Sequence, residues 1–297
     1  MKKTLSMILA TLLVGTMAVS ASAAHIFEAD QGKIAFDVQK ASAIWSPDGN
    51  YEVGEYYDID VQPGWISTMC GQDDLNEKTA NLDVNLAMSW DNDYLYVYVK
   101  YVDLDGFNFT AARNPDWWNG DIIQFGAADA DAVGDGTQLE IGCGQYSDSG
   151  EKSTYNWKDV MGSGYWANGS NVGDDFEVTF DGNTVIYEFR VPFSAFTAKT
   201  AAIGEKFGVC LCVNWTDGGE GVGSYATWQL ASGISGGKTP ENFAKITLQD
   251  APVIETEPET VVEEVVADAA PATFDAGIVA AVAAIVSAAG YALSKKH

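Results

Sequence analysis

The chain has 297 residues, with 42 acidic against 16 basic side chains and a formal charge of -26. Such a surface repels nucleic acid, anionic lipid and polyanionic substrates, which leaves neutral ligands, cations and basic partners. The histidines are His25 and His297, near the two ends, so a histidine base, a histidine-bound zinc and a histidine-bound haem are excluded from the interior.

Residues 1–23 place Lys2 and Lys3 before an apolar run and end on Ala21-Ser22-Ala23, the order of a secretory signal peptide. A folded domain is expected over residues 24–249. Within it the apolar period is two. Leu82, Val84, Leu86, Met88 and Trp90 share one face of a strand. Asp91-Asn92-Asp93 then turns the chain into a strand over 94–102, with Leu95, Val97, Val99 and Tyr101 on one face. Tyr94, Tyr96 and Tyr98 line its other face, a stripe that signals half-buried sheet packing. Further strands are predicted at 122–125, 139–143, 176–180, 185–191 and 207–215, with Asp181-Gly182 as a hairpin turn. Regular short strands and 30 glycines predict an all-β fold, a two-sheet antiparallel β-sandwich.

Composition shifts after the domain. Residues 250–275 are acidic, lack lysine and arginine, and carry Pro252, Pro258 and Pro271, which predicts a disordered linker. Residues 276–293 are uncharged and are followed by Lys295 and Lys296. As a helix this run would be about 27 Å long, close to the thickness of a hydrocarbon core. A single C-terminal hydrophobic helix over 276–297 is therefore expected to serve as a transmembrane anchor. The placement that follows is the extracellular face of a bacterial cell membrane.

Four cysteines, Cys70, Cys143, Cys210 and Cys212, permit two disulfides in an exported protein. Cys210 and Cys212 are two apart on a strand, so they point to the same face and are poorly placed to bond each other. Pairing of each with Cys70 or Cys143 is expected, with free thiols as the other reading.

Function is sought in the loops. Trp117 and Trp118 lie in a turn-bounded stretch from Asn114 to Gly120. Trp157 and Trp166 form a second group, and Trp65 follows Pro63-Gly64. An indole face suits the apolar patch of axial sugar hydrogens, while amides and guanidinium groups suit the hydroxyls. Trp117, Trp118 and Trp166 are the stacking candidates, with Arg113, Asn119, Gln145 and Asn168 as polar partners and Trp65 and Trp215 next in line. Asp103, Asp105 and Asp121 are candidate ligands for a structural calcium, which takes six to eight oxygens; solvated acidic loops are the alternative reading. Asp121 stands before Ile122 and Ile123, so its carboxylate needs a partner, either Arg190 or a metal. There is no nucleophile elbow, and Gly134-Asp135-Gly136 lacks the setting of a phosphate loop, so neither an enzyme nor a nucleotide site is expected.

Several stretches carry a family resemblance. They are residues 54–60, residues 88–99 leading to Val102-Asp103, residues 118–125, residues 187–193, and residues 208–214 with Trp228. In order and spacing this set resembles the type 9 carbohydrate-binding module and its wider DOMON-like sandwich superfamily. The resemblance implies a sandwich that binds carbohydrate through aromatic side chains and holds calcium as a structural ion. This chain departs from enzyme-linked members in having no catalytic domain, and from the haem-binding branch in having no core histidine. Its C-terminal segment resembles the anchoring tails of Gram-positive surface proteins.

The function expected is non-catalytic capture of a neutral poly- or oligosaccharide at the cell surface. Neighbouring surface proteins or enzymes are further partners. The rival expectation is an envelope-layer protein whose aromatic loops make protein contacts.

Overall fold

The computed structural model describes residues 33–70, 79, 82–103, 106–107, 109, 118, 120–134, 136–167, 175–216, 225–235 and 238–253. The expected signal peptide lies outside them, as does all of the expected linker after Val253.

The strands are β1 (Ala35–Gln39), β2 (Tyr57–Asp58), β3 (Ile66–Cys70), β4 (Val84–Trp90), β5 (Tyr94–Val102), β6 (Ile122–Asp129) and β7 (Gln138–Gln145). They continue with β8 (Lys152–Asp159), β9 (Phe176–Asp181), β10 (Thr184–Pro192), β11 (Lys206–Thr216), β12 (Tyr225–Leu230) and β13 (Ala244–Gln249). One sheet has five strands in the order β2-β4-β5-β10-β9. The other has eight, in the order β1-β13-β11-β6-β7-β8, with β12 and β3 added beside β11. The long β11 makes this branch: residues 206–209 pair with β13 and residues 211–216 with β12.

The sandwich is as expected, with one departure: β1 pairs with β13 in parallel. Gly182 takes the left-handed φ of 61° in the β9–β10 hairpin, which is why Asp-Gly marked that turn.

Alternation decides the core. Leu86, Met88, Trp90, Leu95, Val97, Val99, Val185, Tyr187 and Phe189 face inward from the smaller sheet. Ile123, Phe125, Leu139, Ile141, Phe207, Val209, Leu211 and Val213 meet them from the larger one. Phe125 and Phe189 touch edge to face across the interior at 5.4 Å between ring centres.

The outer face of the five-stranded sheet is covered by the chain between Ala41 and Tyr56. Trp45 stacks on Tyr96 at 5.2 Å, and Tyr51 meets Tyr98 edge-on at 5.5 Å. The tyrosine stripe is thus a packing surface. Beneath this cover Glu188 is fully buried, and its carboxylate accepts from the Gly49 N–H and from the Tyr56 hydroxyl. Burial pushes its pKa up to about 7.

Two expectations are corrected. Among the described residues no helix is long and apolar enough to cross a membrane, and residues 276–297 lie outside them, so the C-terminal hydrophobic helix is withdrawn. The transmembrane anchor and the placement built on it are withdrawn with it. The expected disulfides also fail, because Cys143, Cys210 and Cys212 are free thiols. Strand parity gives the reason: Cys143 faces the core from β7, whereas Cys210 and Cys212 lie together on the outer face of β11.

Candidate functional site

The outer face of the eight-stranded sheet is built from small and amide-bearing residues. β6 turns Gln124, Gly126 and Ala128 outward, and β7 turns Gln138, Glu140, Gly142 and Gly144 the same way. From β11 come Cys210, Cys212 and Asn214, and from β12 come Thr227 and Gln229. Register sets Gly142, Gln124, Cys212, Gln229 and Ser67 in one row across five strands.

The glycines let aromatic rings lie on the backbone. A Cβ on Gly142 would sit 2.6 Å from the Trp157 ring, and one on Gly126 would sit 2.7 Å from Phe243. A Cβ on Gly144 would come within 3.0 Å of Phe109. Trp157 reaches its place through a bulge: Asn156 and Lys158 pair with Ile141 and Glu140, and Trp157 is the extra residue between them. Tyr155 packs beside it at 4.8 Å between ring centres, and both rings are half-buried.

Between these rings runs a chain of amides. Asn214 Nδ2 donates to Gln124 Oε1 at 2.7 Å, and the Thr227 hydroxyl donates to Asn214 Oδ1 at 2.6 Å. Gln229 Nε2 donates to the Ser67 hydroxyl at 2.8 Å. Register pairs Gln124 with Gly142, the glycine against which the Trp157 ring packs. At the far side Lys238 pairs with the buried Glu140, whose pKa is raised by burial and held down in part by that lysine and by Lys158. The face thus combines amide donors and acceptors, a hydroxyl and aromatic surface.

The stacking candidates from the sequence separate. Trp166 is 3% exposed and packs on Phe176 and Phe189 at 5.5 and 6.0 Å, so its ring closes the core and presents no open face. Trp215 is likewise inside. Trp65 is half-buried and stacked on Phe36 at 5.7 Å. Trp118 is half-buried in the segment leading to β6. Gln145 ends β7 on the strand parity of the inward Cys143, away from the parity of Gly142 and Gly144. Trp117, Arg113, Asn119 and Asn168 lie outside the described residues.

Gln124, Asn214, Gln229 and Trp157 lie on strands, outside the loops that hold the sequence's stacking candidates. The signal that marks them is Gly126, Gly142 and Gly144 inside apolar strands, where glycine implies close approach by another group.

Of the metal candidates, Asp103 and Asp121 are buried at the end of β5 and the start of β6. Asp103 Oδ1 accepts from Gly106 N–H at 2.8 Å, and the Tyr187 hydroxyl donates to the Asp121 carbonyl at 3.1 Å. Both carboxylates bear on Tyr101, whose pKa is raised by burial and then by them. The Tyr101 hydroxyl is buried and has no hydrogen-bond partner among the described residues. Asp105 lies outside the described residues, and among those described no three acidic, histidine or cysteine side chains gather to hold a metal. Arg190 is not the partner of Asp121. It pairs with Asp175 at 2.8 Å on the other sheet, its guanidinium lying over Trp45 and Tyr94. Lys199 answers the acidic turn after β6, 3.7 Å from Asp129 and 3.5 Å from Asp131.

No family model and no curated protein matches the chain. Among solved structures it is similar to a family 9 carbohydrate-binding module from Caldicellulosiruptor kristjanssonii in complex with cellotriose. That alignment has 14% identity and a TM-score of 0.48, covering 75% of this chain and 98% of the module. A module of the same family and organism in complex with glucose aligns at 16% identity and a TM-score of 0.47, covering 74% and 97%. Both scores are below 0.5, and the functional reading rests on this chain's own residues.

Proposed function

We propose that this protein is a non-catalytic binder of neutral oligo- or polysaccharide, and that the outer face of the eight-stranded sheet is its binding surface. The observation that carries this is the amide chain from Thr227 through Asn214 to Gln124, whose strand partner Gly142 has the Trp157 indole packed against it. A sugar ring needs both halves of that arrangement. Its hydroxyls donate and accept, which amides answer in either sense, and its axial hydrogens form an apolar patch that an aromatic face covers. The acidic surface disfavours anionic glycans, so the ligand class is neutral. A glycan array probed with the intact protein tests the proposal: neutral glycans are bound, and Asn214→Ala loses them. Uniform absence of binding would favour a protein-contact surface.

A structural calcium belongs to the same proposal. Asp103 and Asp121 would supply carboxylate oxygens near the buried Tyr101 hydroxyl, and Asp105 is the further donor that the sequence offers. The ion would fix the end of β5 and the start of β6.

A further inference from the structure

The outer face of the five-stranded sheet is open beside Tyr51 of the cover, where Asp58, Asn85 and Lys100 are exposed. There a cleft of about 430 Å³ opens, lined by Tyr51, Asp58, Asp83, Asn85, Tyr98 and Lys100 among others. This is within the usual size range of small-molecule sites, about 300–1,000 Å³. Asn85 and Lys100 face each other across β4 and β5, and both are exposed, as are Asp58 and Asp83. Tyr51 and Tyr98 form the back wall with their rings edge to face. Burial, and then the Asp58 carboxylate, raise the pKa of the Tyr51 hydroxyl. Lys100 makes no ion pair among the described residues.

We propose that this cleft is a second ligand site, taking one or two units of a neutral polyhydroxylated ligand on the face opposite the amide chain. The ligand class follows from the cleft's own groups. A simple cation would satisfy Asp58 and Asp83 but meet Lys100, and an anion would meet the two carboxylates. Hydroxyls donate to the carboxylates, accept from the lysine and do both with the Asn85 amide, while the tyrosine rings take the apolar side of the ring. The two sites lie on opposite faces of the sandwich, so their joint effect is to hold two glycan chains on one protein, a bivalent rather than an extended grip.

Calorimetric titration of the intact protein with cellotriose, xylotriose and maltotriose tests this. The expected result is two binding events per chain with at least one sugar. Lys100→Ala and Asp83→Asn, both exposed and therefore little involved in folding, each weaken one event tenfold or more. Trp157→Ala weakens the other. Should the amide face not bind, a single event that Lys100→Ala abolishes and Trp157→Ala spares still supports the cleft. Binding unaffected by both Lys100→Ala and Asp83→Asn, or no binding of any of the three sugars, overturns it.

Discussion

Asn214 on β11 and Gln124 on β6 are joined side chain to side chain at 2.7 Å on the outer face of the eight-stranded sheet, both almost fully buried. Their immediate neighbours in sequence, Val213, Trp215, Ile123 and Phe125, all point the other way into the core. A leucine pair would serve packing as well at those two positions. What the amides add is a fixed pattern of donors and acceptors, held in place by Thr227.

The platform is tested by Gly142→Ala. The new methyl would meet the Trp157 ring at 2.6 Å and lift it from the sheet. Overpacking of this kind costs about 1–3 kcal/mol of stability, and glycan affinity is expected to fall tenfold or more. Trp157→Ala should cost about 2 kcal/mol of binding, on the scale of a hot spot. Calorimetric titration beside thermal melts separates the two effects.

Trp166→Ala is expected to behave in the opposite way. Its indole fills space against Phe176 and Phe189, so truncation should cost about 3–5 kcal/mol of stability. Protein that remains folded should bind glycan with unchanged affinity. Denaturant melts and titration below the transition check both halves.

Loop position misled the sequence reading at Trp166 because a loop residue can still plug a sandwich. The strands themselves were legible: the alternation of Leu95, Val97, Val99 and Tyr101 against Tyr94, Tyr96 and Tyr98 names both faces of β5. The amide chain was not, since Gln124 and Asn214 are 90 positions apart and meet only through the β6–β11 register. Read alone, each is an ordinary polar residue on the solvent side of a strand. The cover over Glu188 was equally hidden, because Gly49, Tyr56 and Glu188 come from distant parts of the chain.

Glu188 gives a pH dependence. Its folded pKa of about 7 lies above the ordinary 4.5, with burial the main cause and Asp48 and Glu55 adding to it. Its cross-strand neighbours are Tyr98 on β5 and Glu177 on β9, the latter paired with Lys152 at 2.6 Å. A raised carboxylate pKa means the folded state binds the proton more tightly. Its contribution is therefore fully present below about pH 4.5 and is lost as pH rises through 7, by up to about 3 kcal/mol. Chemical denaturation across this range should show Glu188→Gln gaining stability relative to the native protein as pH rises, by up to about 3 kcal/mol. A constant difference would remove Glu188 as the titrating group.

Removal of calcium should lower the melting temperature, since an ion bound only to the folded state adds stability by mass action. Readdition of calcium restores the melt in the native protein and fails to do so in Asp121→Asn. An identical melt with and without excess chelator would take the ion out of the account.

The most direct test of the amide face is to follow side-chain amide resonances in nitrogen-15-labelled protein while a bound oligosaccharide is titrated in. The account predicts that the Gln124 and Asn214 side-chain amides and the Trp157 indole N–H shift together and saturate at one concentration, and that the Gln124 amide and Trp157 indole cease to respond in Asn214→Ala. Saturable glycan binding that leaves those three resonances unmoved would contradict it.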